Sequence, residues 1–210
     1  MFVKLCGFTR EGDLAAAAEF PLSAAGFVFH EASPRLVSVE RALSLGRVLD
    51  GTGVLRVGVF TGRDADAIAR AAEVARLDCA QVYDPFVVER LRGRIRVIAA
   101  CRVSGTEDIK ALTAVPGDEL LLLDRFDSRR YGGTGKTFDW KALCGFPHID
   151  RAIVAGGINA ANVGMLLAAV RPFGIDVSSG IEDAPGIKSK EKIMNLFNTL
   201  REVHNEIHAR

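Results

Sequence analysis

Short apolar runs alternate with helically spaced stretches from one end of this chain to the other, and that rhythm constrains its fold more than any other feature. The runs are Phe2–Cys6, Ala24–Phe29, Leu55–Phe60, Cys79–Val82, Ile95–Ala100, Leu120–Leu123, Ala152–Ala155 and Phe173–Val177. Several are apolar at consecutive positions, as in Leu120-Leu121-Leu122-Leu123. That suits strands covered on both faces of a parallel sheet. Between the runs, Asp13–Glu19, Val39–Leu49, Ala65–Leu77 and Asn159–Val170 are Ala-rich or amphipathic with few breakers. Lys190–His208 reads as a long last helix whose Ile193, Leu196, Phe197, Leu200 and Val203 fall close to one face. The repeats predict an α/β fold, a single closed (β/α)8 TIM barrel with a parallel sheet. An open doubly wound sheet has the same repeats and stays as the rival. No linker, low-complexity tract or charge block divides residues 1–210, so one domain is expected.

The charge balance excludes some classes of function. Lys+Arg is 27 and Asp+Glu is 26, a net charge of +1. No global basic field draws the protein to nucleic acid or anionic lipid, so any basic site is local. Cys6, Cys79, Cys101 and Cys144 form no C-x-x-C pair. Reduced thiols in a cytoplasmic protein are the simplest expectation. The N-terminus lacks a signal peptide's apolar stretch, and no apolar run approaches the roughly 18 residues of a membrane span.

In a barrel, chemistry belongs at the C-terminal ends of the strands, where the βα loops meet. Cys6 ends the first run and Asp124 follows the sixth. The two would face one another over one mouth, a thiol and a carboxyl suited to act as base and acid. A lone buried cysteine is more often packing, and Cys101 competes from the end of the fifth run. Asp124 is the stronger candidate, because a charge after four buried leucines needs a reason. Ala155-Gly156-Gly157 and Ser178-Ser179-Gly180 follow the last two runs. Backbone N–H groups at such turns, beside a helix N-terminus, suit an anion; two ordinary tight turns are the alternative. Arg35, in Ser33-Pro34-Arg35, is able to form a bidentate pair with a carboxylate, although a solvated surface Arg is the plainer reading.

The long Gly-rich segment 125–137 after Asp124 reads as a mobile lid. Its Gly135-Lys136-Thr137 is no nucleotide P-loop, because Arg130 stands where that motif needs glycine. His204 and His208 lie four apart on the last helix without a third ligand nearby. His30 is expected near the mouth, His148 in a loop, and Trp140 packed at the start of a sixth helix. No metal and no organic cofactor is expected.

Together these segments resemble the phosphoribosylanthranilate isomerases, enzymes on the route to tryptophan. The resemblance rests on Lys4-Leu5-Cys6-Gly7-Phe8-Thr9-Arg10, Gly26-Phe27-Val28-Phe29-His30 with Ser33-Pro34-Arg35, Val57-Gly58-Val59-Phe60 and Leu122-Leu123-Asp124. It continues through Tyr131-Gly132-Gly133-Thr134-Gly135-Lys136-Thr137-Phe138-Asp139-Trp140, Ala155-Gly156-Gly157-Ile158-Asn159, Asp176-Val177-Ser178-Ser179-Gly180-Ile181-Glu182 and Pro185-Gly186-Ile187-Lys188. The matches run in family order over nearly the whole chain. They imply Cys6 as general base and Asp124 as general acid. Arg35 falls at the residue that holds the anthranilate carboxylate, and Asp176 near the sugar. Gly156, Gly157, Ser178, Ser179 and Gly180 fall on the phosphate-binding turns. The implied partner is a small phosphosugar, with neither nucleic acid nor membrane, and the implied state is a monomer or homodimer.

The implied reaction is an Amadori rearrangement of N-(5-phosphoribosyl)anthranilate. Asp124 protonates the ribose ring oxygen, and Cys6, as a thiolate favoured by nearby backbone dipoles, removes the C2 proton. Two segments depart from the family. Gln81-Val82-Tyr83-Asp84 stands where Gln-Leu-His-Gly is usual, and Glu19-Phe20-Pro21-Leu22 replaces a Gly-containing turn. Rival readings are the histidine-pathway aminoaldose isomerase, which carries an aspartate where this chain has Cys6, and indole-glycerol-phosphate synthase, which has an extra N-terminal helix. A non-catalytic phosphosugar-binding barrel is the alternative of another class.

Overall fold

The structure, a computed structural model, describes residues 1–112, 117, 119–125 and 139–208. Its strands are β1 (Phe2–Cys6), β2 (Ala24–Val28), β3 (Leu55–Phe60), β4 (Cys79–Val82), β5 (Arg96–Val103), β6 (Leu120–Arg125), β7 (Ala152–Val154) and β8 (Gly174–Val177). Each pairs in parallel with the next, and β8 returns to pair with β1, with Lys4 opposite Asp176. The sheet therefore closes into a barrel, and the open-sheet rival is excluded.

Strand alternation explains the unbroken apolar runs. On β6, Leu121 and Leu123 point outward and join the main core, while Leu122 points into the barrel with Ala24, Val57, Cys79, Ile98, Ala100, Ile153 and Ala155. The same parity on β1 sends Val3 and Leu5 outward and leaves Lys4 and Cys6 inside. Both faces are buried, one by helices and one by the opposite wall, so both are apolar.

The covering helices are α1 (Glu11–Ala18), α2 (Val39–Arg47), α3 (Ala65–Val74), α4 (Pro85–Leu91), α5 (Thr106–Leu112), α6 (Val163–Ala169) and α7 (Lys190–His208). Capping side chains set several starts. Ser38 accepts from the N–H of Arg41 at α2, and Asp64 from those of Asp66 and Ala67 at α3. Asp84 caps α4 and Pro85 opens it, so Asp84 in the departing segment has a structural use. In the other departing segment, Phe20 stacks on Phe197 of α7 with ring centroids 5.2 Å apart. Among the described residues no helix is long and apolar enough to cross a membrane.

Three elements differ from expectation. The helix after β7 begins at Val163 rather than Asn159, because Asn159 and Asn162 first form a local turn: the side chain of Asn162 accepts from the N–H of Asn159, and that of Asn159 from the N–H of Ala161. The segment at Trp140 is a short 3₁₀ turn, Trp140–Leu143, rather than an α-helix. A small antiparallel hairpin, β9 (Glu182–Ala184) with β10 (Ile187–Lys188), follows β8. The sequence reading had no element there. Residues 126–138, most of the expected lid, lie outside the described residues.

Candidate active site

A cavity opens at the C-terminal mouth of the barrel. Cys6, Arg35, Tyr83, Asp124 and Asp176 line it, together with Gly156, Gly157, Ser178 and Ser179 of the two late turns. Every site residue expected from the sequence thus reaches one place except Gly180, which sits just behind the wall. A methyl group on Gly180 would lie 1.9 Å from the carbonyl oxygen of Ile158. Only glycine lets the turn after β8 lie flat against the turn after β7. The rival thiol, Cys101, has the opposite parity on β5 and packs against the outer core. His30 lies at the mouth as expected, its Nδ1 2.9 Å from the hydroxyl of Thr61.

The thiol sits in a charged but nearly dry setting. Below it on β1, Lys4 is fully buried, and its Nζ lies 2.9 Å from Oδ2 of Asp176. Burial pulls the Lys4 ammonium down, but the charges of Asp176 and Cys6 outweigh it and hold it above the ordinary lysine value. Burial pushes the Cys6 thiol up, and Asp176 adds to this; Lys4 and Lys188 pull it down without reversing it. The expectation that dipoles favour a thiolate is therefore not met, because desolvation is the largest effect on the thiol. Asp124 is shifted in the direction that favours its protonated form. Burial, then the charge of Asp176, push its carboxyl up to about 6, against the N–H of Arg125 and the charges of Lys4 and Arg102.

Tyr83 occupies the position where the family resemblance led to expect His. It packs beside Cys6, Val28 and Val59. Its hydroxyl lies 3.4 Å from Nε2 of Gln81, and the Arg102 guanidinium stands 5.2 Å from its ring centre. Burial first, then the charges of Asp124, Cys6 and Asp176, push its phenol well up, so it stays neutral.

Arg35 is buried, not solvated. Its Nε and NH2 donate to the two carboxylate oxygens of Glu182 at 2.8 and 2.5 Å. Its side chain crosses the start of the loop after β1, where a methyl group on Gly7 would lie 2.4 Å from Arg35 Cδ and Gly7 itself has φ +83°. From the hairpin, Lys188 donates to Glu182 Oε1 at 2.7 Å and to the carbonyls of Cys6 and Ser178 at 2.5 and 3.3 Å. Burial works against the Glu182 carboxylate, but its bonds with Arg35 and Lys188 hold it below the usual range. Sequence reasoning quoted Lys4, Glu182 and Lys188 without giving them roles. The available signal was a lysine inside an apolar run.

The late turns are built for close approach. Gly156 and Gly157 both have positive φ, +93° and +67°. The α-helix after β7 starts only at Val163, whereas a short 3₁₀ turn, Ser179–Ile181, opens directly after β8, so Gly156, Gly157, Ser178 and Ser179 all line the cavity that Asp124 also lines.

Fold and mouth together define a class: a (β/α)8 barrel that sets a thiol and a raised carboxyl beside paired glycine-bearing turns. Within that class the family model for N-(5'-phosphoribosyl)anthranilate isomerase matches residues 3–199. An isomerase of that name from Rubrobacter xylanophilus is 40% identical, over 95% of this chain and 98% of its own. The phosphoribosyl anthranilate isomerase structure from Thermotoga maritima superposes with a TM-score of 0.87 at 34% identity, covering 96% of this chain and 99% of that one. A further structure of the enzyme, in complex with reduced 1-(o-carboxyphenylamino)-1-deoxyribulose 5-phosphate, superposes at 0.83 with 31% identity, covering 96% and 99%. The chain belongs to the N-(5'-phosphoribosyl)anthranilate isomerase family.

Proposed function

We propose that this protein catalyses the Amadori rearrangement of N-(5-phosphoribosyl)anthranilate to 1-(2-carboxyphenylamino)-1-deoxyribulose 5-phosphate in tryptophan biosynthesis. The observation that carries the reading is the convergence of Cys6 and Asp124, from opposite parts of the chain, on the cavity that also holds the glycine-bearing turns. Membership of the family supplies the substrate. In this reading residues 1–210 act as one catalytic domain in the cytoplasm, in keeping with cysteines that are all free.

Each side chain then has a task. Gly156, Gly157, Ser178, Ser179 and Gly180 hold the phosphate through backbone N–H groups and fix the sugar for reaction. Arg35 spends two of its five N–H donors on Glu182 and offers the rest to the anthranilate carboxylate. Asp176, whose Oδ1 has no hydrogen-bond partner among the described residues, accepts from a sugar hydroxyl. Asp124, part protonated near neutral pH, gives its proton to the ring oxygen as the C1–O bond breaks. Cys6, as thiolate, takes the proton from C2. The resulting enol amine tautomerises to the ketone.

The test is a fluorescence assay with freshly made phosphoribosylanthranilate. Its emission is expected to fall in proportion to added protein. Emission that decays at the spontaneous rate at every protein concentration refutes the reading. Tight binding of the reduced product analogue without turnover would favour the non-catalytic barrel instead.

A further inference from the structure

A buried lysine with unspent donors, directly below a thiol, calls for a reason. Lys4 has no exposed surface. Its Nζ is 2.9 Å from Asp176 but poorly aligned with it, and it makes no well-aligned hydrogen bond among the described residues. Desolvating an ammonium is among the most expensive things a fold does, and a structural ion pair normally recovers the loss through aligned bonds. Here alignment is forgone. Strand parity places the ammonium on the inner wall, one pleat below Cys6 on the same strand.

We propose that Lys4 is a positioning residue whose charge Cys6 and Asp176 share, and that this sharing decides how readily the thiol ionises. The proposal rests on the reading of Cys6 as the base. The ammonium keeps its proton throughout. When Cys6 ionises, its proton leaves through the mouth, and the thiolate replaces part of Asp176 as the counter-charge of Lys4. A sugar hydroxyl donating to the open Oδ1 of Asp176 spends some of that carboxylate's charge and turns Lys4 toward sulfur. Substrate binding thereby prepares its own base.

The other groups around the thiol leave this role to Lys4. β2 and β3 present Val28 and Val59, which carry no charge. Tyr83 from β4 is neutral, and Asp124 from β6 has the wrong sign to hold a thiolate. Lys188 assists, but its ammonium is bonded to Glu182 and to the carbonyls of Cys6 and Ser178. Arg35 gives two donors to Glu182 and, in the proposed reading, the others to the substrate carboxylate.

The test reads the thiol directly. Cys6 is alkylated with iodoacetamide across pH, and modification is followed on the peptide that carries it, so Cys79, Cys101 and Cys144 do not interfere. Lys4→Met is expected to move the alkylation midpoint up by about one pH unit or more, and Asp176→Asn to move it down by about one. Lys4→Arg is expected to stay near the parent. Opposite shifts from the two halves of one ion pair are not what a purely structural pair produces. Shifts in the same direction, or a Lys4→Met midpoint unchanged from the parent, overturn the proposal. If Lys4→Met does not fold, Lys4→Gln takes its place with the same expected rise. If neither folds, a midpoint in Asp176→Asn that fails to fall overturns it and one that falls supports it. Because alkylation requires no turnover, a protein inactive on phosphoribosylanthranilate would defeat the functional reading and leave this measurement standing.

Discussion

Two groups of buried charge meet at the end of β1, and they are built on opposite principles. Arg35, Glu182 and Lys188 form a network of aligned hydrogen bonds, anchored on the carbonyls of Cys6 and Ser178. Lys4 and Asp176 lie 2.9 Å apart without good alignment, and Asp176 keeps an oxygen with no partner. A satisfied buried network rigidifies; an unsatisfied one stores interaction for something that arrives later. On the proposed reading the first group fixes the geometry of the mouth and leaves Arg35 donors for the substrate, and the second belongs to its chemistry. Both were assembled from charges that their surroundings make expensive, so their wiring, not their burial, separates them.

If that contrast is right, damage to the chemical side should appear in turnover and damage to the structural side in stability. The largest effect is expected from Cys6→Ala and Asp124→Asn, each lowering kcat by roughly 10²–10⁴-fold while the protein still unfolds cooperatively. Near-normal turnover in either purified variant would remove that residue from its assigned role. On the structural side, Glu182→Ala leaves Arg35 and Lys188 as buried cations without their carboxylate. Urea unfolding should show a loss of about 3–5 kcal/mol. A loss below about 1 kcal/mol would erase the distinction between the two groups.

Asp124→Asn sharpens the contrast from the other side. The carboxyl titrates near 6 in the folded protein and near 3.9 when unfolded. Its protonated form is the one the fold prefers, so its contribution is whole below pH 4 and is lost as the pH rises through 6. Removing the charge should therefore stabilise the protein at pH 7 by about 1–3 kcal/mol, with the gain vanishing near pH 4. The variant that abolishes turnover is expected to be the sturdier protein, and equal stability at pH 7 would contradict the buried carboxyl.

The pH profile gives a smaller and subtler signature. The working pair is a protonated Asp124 with an ionised Cys6, yet the thiol titrates above the acid. Such a pair is correctly charged in only a small, constant fraction of molecules between the two values. kcat/KM should then fall by about tenfold per pH unit below pH 6 and stay flat above it until the thiol titrates. A decline that begins just above pH 6 would mean that Cys6 is already ionised there. The smallest effect belongs to the outward-facing thiol: Cys101→Ser should leave kcat within about twofold, whereas a loss like that of Cys6→Ala would exchange the two cysteines.

The legible part of this protein was whatever repeats or is local. β1, β3 and β4 begin and end where the apolar runs do, because a strand buried on both faces writes itself as unbroken hydrophobicity. The meeting of Cys6, Asp124 and the glycine turns was legible because a barrel collects strand ends into one mouth. The hairpin at Glu182 and Lys188 was not found, since strands of three and two residues carry too little pattern to be seen. The partner of Arg35 was not legible either. Glu182 lies 147 residues away along the chain, and no periodicity joins them. Lys4 was visible as an oddity inside an apolar run, but its meaning depends on Asp176, which only barrel closure brings beside it.

That closure has a consequence for how the chain comes into being. The strand that carries the thiol is made well before the lysine that grips the thiol's own carbonyl, which follows 182 residues later. At ribosomal speeds of about 5–20 residues per second, β1 waits roughly ten to forty seconds for its last neighbour. Through that interval Asp176, which lies opposite Lys4 in the finished sheet, has not yet been made, and a lysine on an unpaired strand edge is the kind of charge that discourages wrong pairing.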